Sequence, residues 1–600
     1  MVNKIQLNDI DLNAYECVKD KYDRVVDGVS HGRAIYFDSH AQLYYKIFHP
    51  DYCRVDNFRK AIEANFFDGI APALVSLIYN SDILVGYVTK AGPLLSANEF
   101  DYHLIPQDFF RILKNRIKDS GMFFYDLVPH NIILINGEPS LIDLESVYDI
   151  SEYDTLSLHN AKVKPAELDE YINELRSITP MKISLIQPGR NNLKYLKWSY
   201  DSIRKNQGNH EVEICVADDF SNDGTWEWCK EMMEHDPNFK AIRNDGPDRL
   251  GHTILYDRLV NEVATHDMCM IYHADMYLCP DALDAVNKHM HFKNVITGDT
   301  IYENVPKLKT IVSLTRIEPP LHPDGPEKIL VDFGIEPEEF DEDALFAYLQ
   351  ATDVEREHKT TEGIFAPWAF WKQDFQEIGG HDSIFAPQSK EDTDIFNRLQ
   401  LNDVNFIQTW EGCVYHMTCR GSRFADGAKR NPNGEVFMKN RETDEWLAQN
   451  QKSTREFIRK WGHFCKHDTL MKPIIPSKYD IGFIIRNGSM KLLEALEPWC
   501  STVYINDANG NQYATYIENQ DTSFDLSDKI KPYDNEKQNE IIVTIDGNTF
   551  NQQDYKYIQQ LSEIISDSGE PGFHGELGNI TVEIFENMNS YEKDLITCKS

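Results

Sequence analysis

The chain has 600 residues, 41% of them apolar, with 29 Tyr and 31 Phe. That is too long for one hydrophobic core, so three or four domains with well-filled interiors are expected. A formal charge of −37 argues against a nucleic-acid or anionic-membrane partner. No apolar run approaches the ~18 residues that a membrane span needs, so no integral membrane segment is expected. The first residues, MVNKIQLNDIDLNAYE, hold no apolar signal-like core, and the 11 Cys are scattered without CxxC or zinc-like spacing. Reduced thiols and a cytoplasmic location are the expectation.

The first segment, residues 1–178, carries FFYDLVPHNIILINGEPSLIDLESVYDI. Asp126 and Asn131 are five positions apart, and Asp143 ends a strand after a hairpin turned at Asn136-Gly137. Upstream, LYYKIF places Lys46 on a strand, the helix after it offers Glu63, and DGVSHGRAIYF gives a loose loop at Gly28 and Gly32. This pattern resembles the catalytic and metal-binding loops of the protein-kinase-like fold, including the lipopolysaccharide and small-molecule kinases. The resemblance implies an α+β domain in which Asp126 takes a hydroxyl proton, Asn131 and Asp143 hold Mg²⁺ on ATP, and Lys46 and Glu63 pair in the ATP site. Only about 35 residues separate Asp143 from the next segment, so the expected domain is truncated. An active kinase of a small molecule or glycan and a degenerate or purely structural module are both open.

The charged stretch KVKPAELDEYINELRSITP reads as a linking helix into residues 179–475. There, MKISLIQPGRNNLKYLKWSYDSIRKNQGNHEVEICVADDFSNDGT gives a strand over Ile183 to Ile186 and a turn through Pro188 and Asn191. A helix with Leu193, Leu196, Tyr200 and Ile203 on one face follows, and then a strand from Val212 to Ala217. That is a βαβ unit with parallel strands. Its second strand delivers Asp218 and Asp219 to the carboxyl end, where such sheets bind ligands.

Three later stretches follow in order. MCMIYHADMYLCPDAL is a buried strand running into His273-Ala274-Asp275. IGGHDSIFAPQSKEDTDIFNRLQ carries Gly379, Gly380, Asp382, Glu391, Asp392, Asp394 and Arg398. TWEGCVYHMTCRGSRF places His416 after a strand, followed by Arg420 and Arg423. Asp394 and Arg398 sit at i and i+4 on one helix and read as a structural ion pair. Between the motifs, Arg249, Gly251 and His252 fall in one loop, and FAPWAFW (Phe365 to Trp371) is either a sugar-stacking platform or core.

Taken together, these stretches resemble a family 2 glycosyltransferase with the GT-A, Rossmann-like nucleotide-sugar-binding fold. Asp218, Asp219, Ser221, Asp223, Gly224 and Thr225 match one motif of that family, with Phe220 in a slot that is often Gly. The resemblance implies donor binding by Pro188, Asn191, Asp218, Asp219, Asp223, Arg249, Asp275, Arg420 and Arg423. It also implies Mn²⁺ or Mg²⁺ held by Asp275 and His416, with His273 standing where the family has its first metal-motif Asp. Asp392 would be the general base, supported by Glu391. A cation and nearby Arg side chains would offset the acidic field against a diphosphate.

The last segment, 476–600, opens after IIPSKYD and alternates IGFII, STVYIN, EIIVTID, QQDYKYIQQLSEIISDS and NITVEIFE, a small accessory α/β domain. The expected protein is a multidomain α/β, metal-dependent, inverting glycosyltransferase. It would use a nucleotide diphosphate sugar, a UDP sugar in preference, and a glycan or glycolipid hydroxyl, with a second kinase activity if the first segment is active. Two other readings stay open: a glycan or sugar kinase whose transferase fold only binds glycan, and a non-catalytic glycan-binding scaffold.

Overall fold

The structure is a computed structural model that describes residues 3–19, 25–26, 29–30, 33–48, 55–97, 104–124, 127–150, 168, 180–296, 301–418, 427–438, 443–506, 512–588 and 593–597. The chain folds as two compact units, 1–179 and 180–600. No helix among the described residues is long and apolar enough to cross a membrane.

In the first unit, six strands form one sheet in the order Asn3–Gln6, Leu74–Asn80, Ile83–Lys90, Leu43–Phe48, Arg33–Asp38, Glu16–Lys19. Every neighbouring pair is antiparallel except the first. The helices Val55–Glu63 and Gln107–Ser120 supply Phe58, Phe109, Leu113 and Ile117 to a core shared with Phe48, Tyr87 and Phe123. The hairpin Ile132–Ile135 with Glu138–Leu141 turns at Asn136 and Gly137, whose φ values are 55° and 91°. Two left-handed residues in a two-residue loop match the right-handed twist of the strands, which is why Asn-Gly predicts this turn.

The second unit is built on a ten-stranded sheet. Its main path runs Phe239–Asn244, Glu211–Asp219, Lys182–Gly189, Met268–Ile271, Trp368–Trp371, Thr310–Glu318, Asn405–His416, Met276–Leu278. The first four strands are parallel. The chain builds outward from Lys182–Gly189 and then returns to its other side with Met268–Ile271. Connections therefore leave these two strands in opposite directions, opening a crevice at their carboxyl ends. Apolar clusters cover both faces, one around Leu185, Ile214 and Met270, the other around Ile186, Ile271 and Trp368. Trp368, Phe370 and Trp371 are buried in a central strand, so core packing, not a sugar platform, accounts for the aromatic run there.

The same unit contains a second sheet, ordered Ile530–Pro532, Thr502–Ile505, Ile481–Arg486, Ile541–Asp546, Ile580–Ile584, His574–Leu577. Its first four strands are parallel and its last two pairings antiparallel. The long helix Asp444–Trp461 ties the two sheets together. Ile458 joins the core of the second sheet, while Trp461 packs with Phe385 and Leu595. On the same helix Arg459 meets the fully buried Glu497 at 2.7 Å, and Lys529 reaches that carboxylate at 2.9 Å.

Candidate functional site

The crevice side of Met268–Ile271 carries the densest chemistry. All four residues of that strand are buried, and the chain then turns through His273 and Ala274. Met276–Leu278 pairs antiparallel with the end of Asn405–His416, Met276 lying opposite His416. The Met417 amide donates to the Asp275 carbonyl at 3.0 Å. This pairing brings together residues far apart in sequence. One ligand atom each from His273, Asp275 and His416 lie within 4.8 Å of one another, and His416 Nε2 is 3.4 Å from Asp275 Oδ1.

Behind His416 stands a residue that the sequence reading did not single out. Glu318 ends the strand Thr310–Glu318, is 2% exposed, and places Oε1 2.7 Å from His416 Nδ1. Arg316 at 3.0 Å and Lys328 at 3.9 Å flank the carboxylate. The signal was available: a carboxylate ending an apolar strand just before Pro319-Pro320, the kind of position that drew notice to Asp218. A carboxylate on the far nitrogen fixes the tautomer and aim of a metal-binding imidazole.

The electrostatics agree with that geometry. Burial opposes charge on His416, but Asp275 and Glu318 outweigh it and push its pKa up to about 9. Burial raises the carboxyl of Glu318, yet the His416 hydrogen bond and Arg316 bring it down to about 2. Burial likewise works against ionised Asp275, and His416 and His273 hold it well below the carboxylate range. Burial drives His273 down to about 3, so it is a neutral imidazole with a lone pair to offer. One carboxylate and two imidazoles, one of them backed by a carboxylate, suit a divalent ion such as Mn²⁺.

The acidic motif at the neighbouring strand end holds loops. Asp219 accepts from Asn244 Nδ2 at 2.7 Å, Leu250 N at 3.1 Å and Gly251 N at 3.0 Å. It thereby caps the helix Gly251–Arg258. Asp218 is fully buried, accepts from Ser221 N at 3.1 Å and faces Arg243 Nε at 3.4 Å. Asp223 accepts from Leu193 N at 3.0 Å, Thr225 N at 3.1 Å and Thr225 Oγ1 at 2.6 Å. Asn191 Oδ1 accepts from Asn222 N at 2.9 Å, and the Asn191 amide donates to Ser221 Oγ at 2.9 Å. Pro188 lies near the end of its strand opposite Ala217. Asp219 and Asp223 thus brace the loops of the crevice floor, while Asp218 Oδ2 is buried with no hydrogen bond. Phe220 takes φ 60°, a left-handed conformation that glycine adopts freely and that costs a bulky residue about 1–2 kcal/mol. Its ring lies against Gly246, where a Cβ would come within 2.6 Å.

The helix capped by Asp219 links the two motifs. Gly251 has φ +76°, and a Cβ there would fall 2.1 Å from the Pro387 carbonyl oxygen, so only glycine lets the loop before Glu391 approach. The helix Glu391–Leu401 begins with buried Glu391 and exposed Asp392. Further along it, Asp394 and Arg398 form a fully buried pair at 2.8 Å, and Arg398 also donates to the carbonyls of Ile378 and Gly380. Arg249 Nε is 3.8 Å from Asp219 Oδ2 and makes no hydrogen bond. Arg420 and Arg423 lie outside the described residues.

In the first unit Lys46, 4% exposed, forms an ion pair with Asp143, whose φ is 59°. Buried Asn131 is adjacent, its carbonyl accepting from the Ile142 amide at 2.9 Å. Glu63, expected to pair with Lys46, is exposed at the last turn of its helix, and Asp143 takes that role. Asp126, Gly28 and Gly32 lie outside the described residues.

The family model described as Glycosyl transferase family 2 matches residues 184–347. The match covers the βαβ start, the acidic motif, His273–Asp275 and Glu318, and ends before Glu391 and His416. No curated protein matches the sequence. Among solved structures the chain is similar to GalNAc-T7 with UDP, GalNAc and Mn²⁺, at 14% identity and TM-score 0.28 over 40% of this chain and 43% of that one. It is also similar to residues 1–349 of S. aureus TarS in complex with UDP, at 14% identity and TM-score 0.27 over 39% and 60%. A third is the mannosyltransferase PcManGT from Pyrobaculum calidifontis with GDP-Man and Mn²⁺, at 16% identity and TM-score 0.26 over 45% and 68%. The chain thus spans under two thirds of the first two of these structures.

Proposed function

We propose that the second unit is a metal-dependent, inverting glycosyltransferase. It would move a sugar from a nucleotide diphosphate sugar, with a UDP sugar favoured, to a glycan or glycolipid hydroxyl. The family match over residues 184–347 supports the reaction class. The observation that carries the reading is the His273, Asp275 and His416 cluster, backed by Glu318, at the sheet's switch point. His273, Asp275 and His416 would hold Mn²⁺ or Mg²⁺, and such an ion neutralises the leaving diphosphate. Asp218, Asp219, Asp223 and Asn191 keep the crevice loops in shape. Asp392, exposed at the helix start, takes the proton of the acceptor hydroxyl as that oxygen attacks the anomeric carbon, and Glu391 beside it orients the turn. A panel of nucleotide sugars with Mn²⁺, scored for hydrolysis and for transfer, tests the reading. Absence of both activities with every donor would reject it.

A second reading concerns the first unit, where the Lys46–Asp143 ion pair beside Asn131 favours a Mg²⁺·ATP site. We also take residues 476–600 as an accessory domain carrying the second sheet.

A further inference from the structure

The turn that delivers Glu391 and Asp392 is held in an unfavourable backbone conformation. Ser389 has φ 83° and Lys390 φ 73°, two successive residues in the left-handed region that a Cβ disfavours. Lys390 is also where the helix Glu391–Leu401 starts, its carbonyl accepting from the Asp394 amide at 2.9 Å. The backbone of this pair therefore sets the direction in which the first helical turn, and Asp392 with it, leaves the loop. Such a turn persists only where its surroundings over-determine it. The helix Asp444–Trp461 supplies that hold. Asn450 Oδ1 accepts from Ser389 Oγ at 2.7 Å and from Lys390 Nζ at 3.1 Å. One helical turn on, buried Ser453 donates to the Gln388 carbonyl at 3.2 Å. At the end of the same helix, Lys460 Nζ lies 2.6 Å from Asp382 Oδ2 and 2.7 Å from Asp394 Oδ1, and Trp461 Nε1 donates to Asp394 Oδ1 at 2.9 Å.

Resting on the transferase reading with Asp392 as base, we infer that Asn450 is a positioning residue for the transfer step: its side-chain oxygen holds the Ser389–Lys390 turn, and through it Asp392, in place. Asp392 stands between two points that one helix fixes, Lys390 before it and Asp394 after it. The hold at fully buried Asp394 secures the body of the base helix. The first turn, where Asp392 is exposed, depends on the hold at Asn450. Neither Ser389 nor Lys390 is glycine, so losing that oxygen lets the pair relax out of the left-handed region and swing the helix start. A reacting group misplaced by about 1 Å costs on the order of 10²-fold in rate. The bracing helix is itself rooted in the second sheet, through Ile458 in its core and Arg459 on Glu497. Residues 476–600 would thus serve the chemistry by anchoring the brace.

Steady-state kinetics on the full chain test the inference, read as release of nucleoside diphosphate from UDP-glucose, UDP-galactose, UDP-N-acetylglucosamine and GDP-mannose with Mn²⁺. Asn450→Ala should lower kcat about 10–100-fold, with the donor KM and the calorimetric affinity for the released diphosphate unchanged. Asn450→Asp keeps an oxygen acceptor at the same place and should retain most of the rate. Ser389→Ala should lower kcat in the same direction, and adding it to Asn450→Ala should cost nothing more, because both variants break one contact. Asn450 is half-buried; should Asn450→Ala not fold, Ser389→Ala and Asn450→Asp carry the test. Unchanged kcat in Asn450→Ala, equal losses of rate and diphosphate affinity, no recovery in Asn450→Asp, or additive losses would each overturn the inference. Wild-type turnover with an unaffected Asn450→Ala rejects the inference alone. Asp392→Asn at the wild-type rate rejects the base, and a wild type that releases no diphosphate from any donor rejects the transferase reading; either takes the inference with it.

Discussion

His416 Nδ1 lies 2.7 Å from Glu318 Oε1, while its other nitrogen lies 3.4 Å from Asp275 Oδ1. A ring held this way has one nitrogen committed to a buried carboxylate and the other presented to the cluster. If the cluster is a metal site, Glu318→Gln should keep the shape but remove the charge that makes the imidazole a strong ligand. Mn²⁺ affinity should fall roughly 10–100-fold, the range for loss of a group that orients a metal ligand. Asp275→Asn should remove Mn²⁺-dependent UDP binding altogether. Mn²⁺ titration followed by electron paramagnetic resonance reads the first effect and calorimetry the second. Wild-type affinity in both variants would mean that the cluster holds no metal.

The same geometry sets a pH dependence. With its pKa pushed up to about 9 by Asp275 and Glu318 against the opposing effect of burial, His416 is protonated at neutral pH and must lose that proton to ligate. Apparent Mn²⁺ affinity should therefore rise with pH, by up to about tenfold per unit, and level off above about pH 9. Titrations at pH 6, 7 and 8 check the slope. A flat profile would remove His416 from the ligand set.

Chemistry and binding separate at Asp392. It is exposed in the first turn of its helix, so Asp392→Asn should leave the fold and UDP affinity nearly intact. Transfer should fall by roughly 10²-fold or more if the carboxylate is the base. Equal losses of UDP affinity and transfer would instead assign it to the donor site.

The strand-end carboxylates were legible in the sequence because a short continuous apolar run, buried on both faces, fixes where a strand stops, and a motif residue at its end inherits that place. His273 and Asp275 follow from the same logic, as does the buried Asp394–Arg398 pair from its i, i+4 spacing. Glu318 was not legible as part of the cluster, because its partner comes from a strand 98 residues on and only the parallel register of the two strands aligns them. Nor could sequence show that Asp219 accepts from the Leu250 and Gly251 amides, since hydrogen-bond use depends on where a loop returns. The pairing of Lys46 with Asp143 instead of Glu63 has the same origin: the helix carrying Glu63 leaves it in solvent.

That pairing makes the first unit testable. If Lys46 and Asp143 frame a Mg²⁺·ATP site, millimolar ATP with Mg²⁺ should raise the melting temperature of the protein, and Asp143→Ala should erase the shift. Asp126→Ala should spare ATP binding and stop any phosphotransfer, as expected of a residue that acts only on the acceptor proton. No shift with ATP at millimolar concentration would leave the Lys46–Asp143 pair as a structural tie.

Glu497 gives a stability prediction outside the proposed chemistry. Its carboxylate is fully buried between Arg459 and Lys529 and accepts from Tyr516 Oη at 2.9 Å. Burial raises its pKa, but Lys529 and Arg459 outweigh that and bring it from 4.5 down to about 2. A depressed folded pKa means that the stabilisation is fully present above 4.5 and is lost as pH falls toward 2. Glu497→Gln leaves Lys529 without its carboxylate and Arg459 with Glu456 alone, and should cost about 3 kcal/mol near neutral pH. The gap in melting temperature between wild type and variant should be widest at pH 7 and narrow steadily from pH 4.5 to pH 3. Because Arg459 lies on the helix that also grips the loop before Glu391, the variant should loosen both sheets together, seen as a single earlier unfolding transition of residues 180–600. A separate early transition confined to the second sheet would show instead that the helix does not couple them.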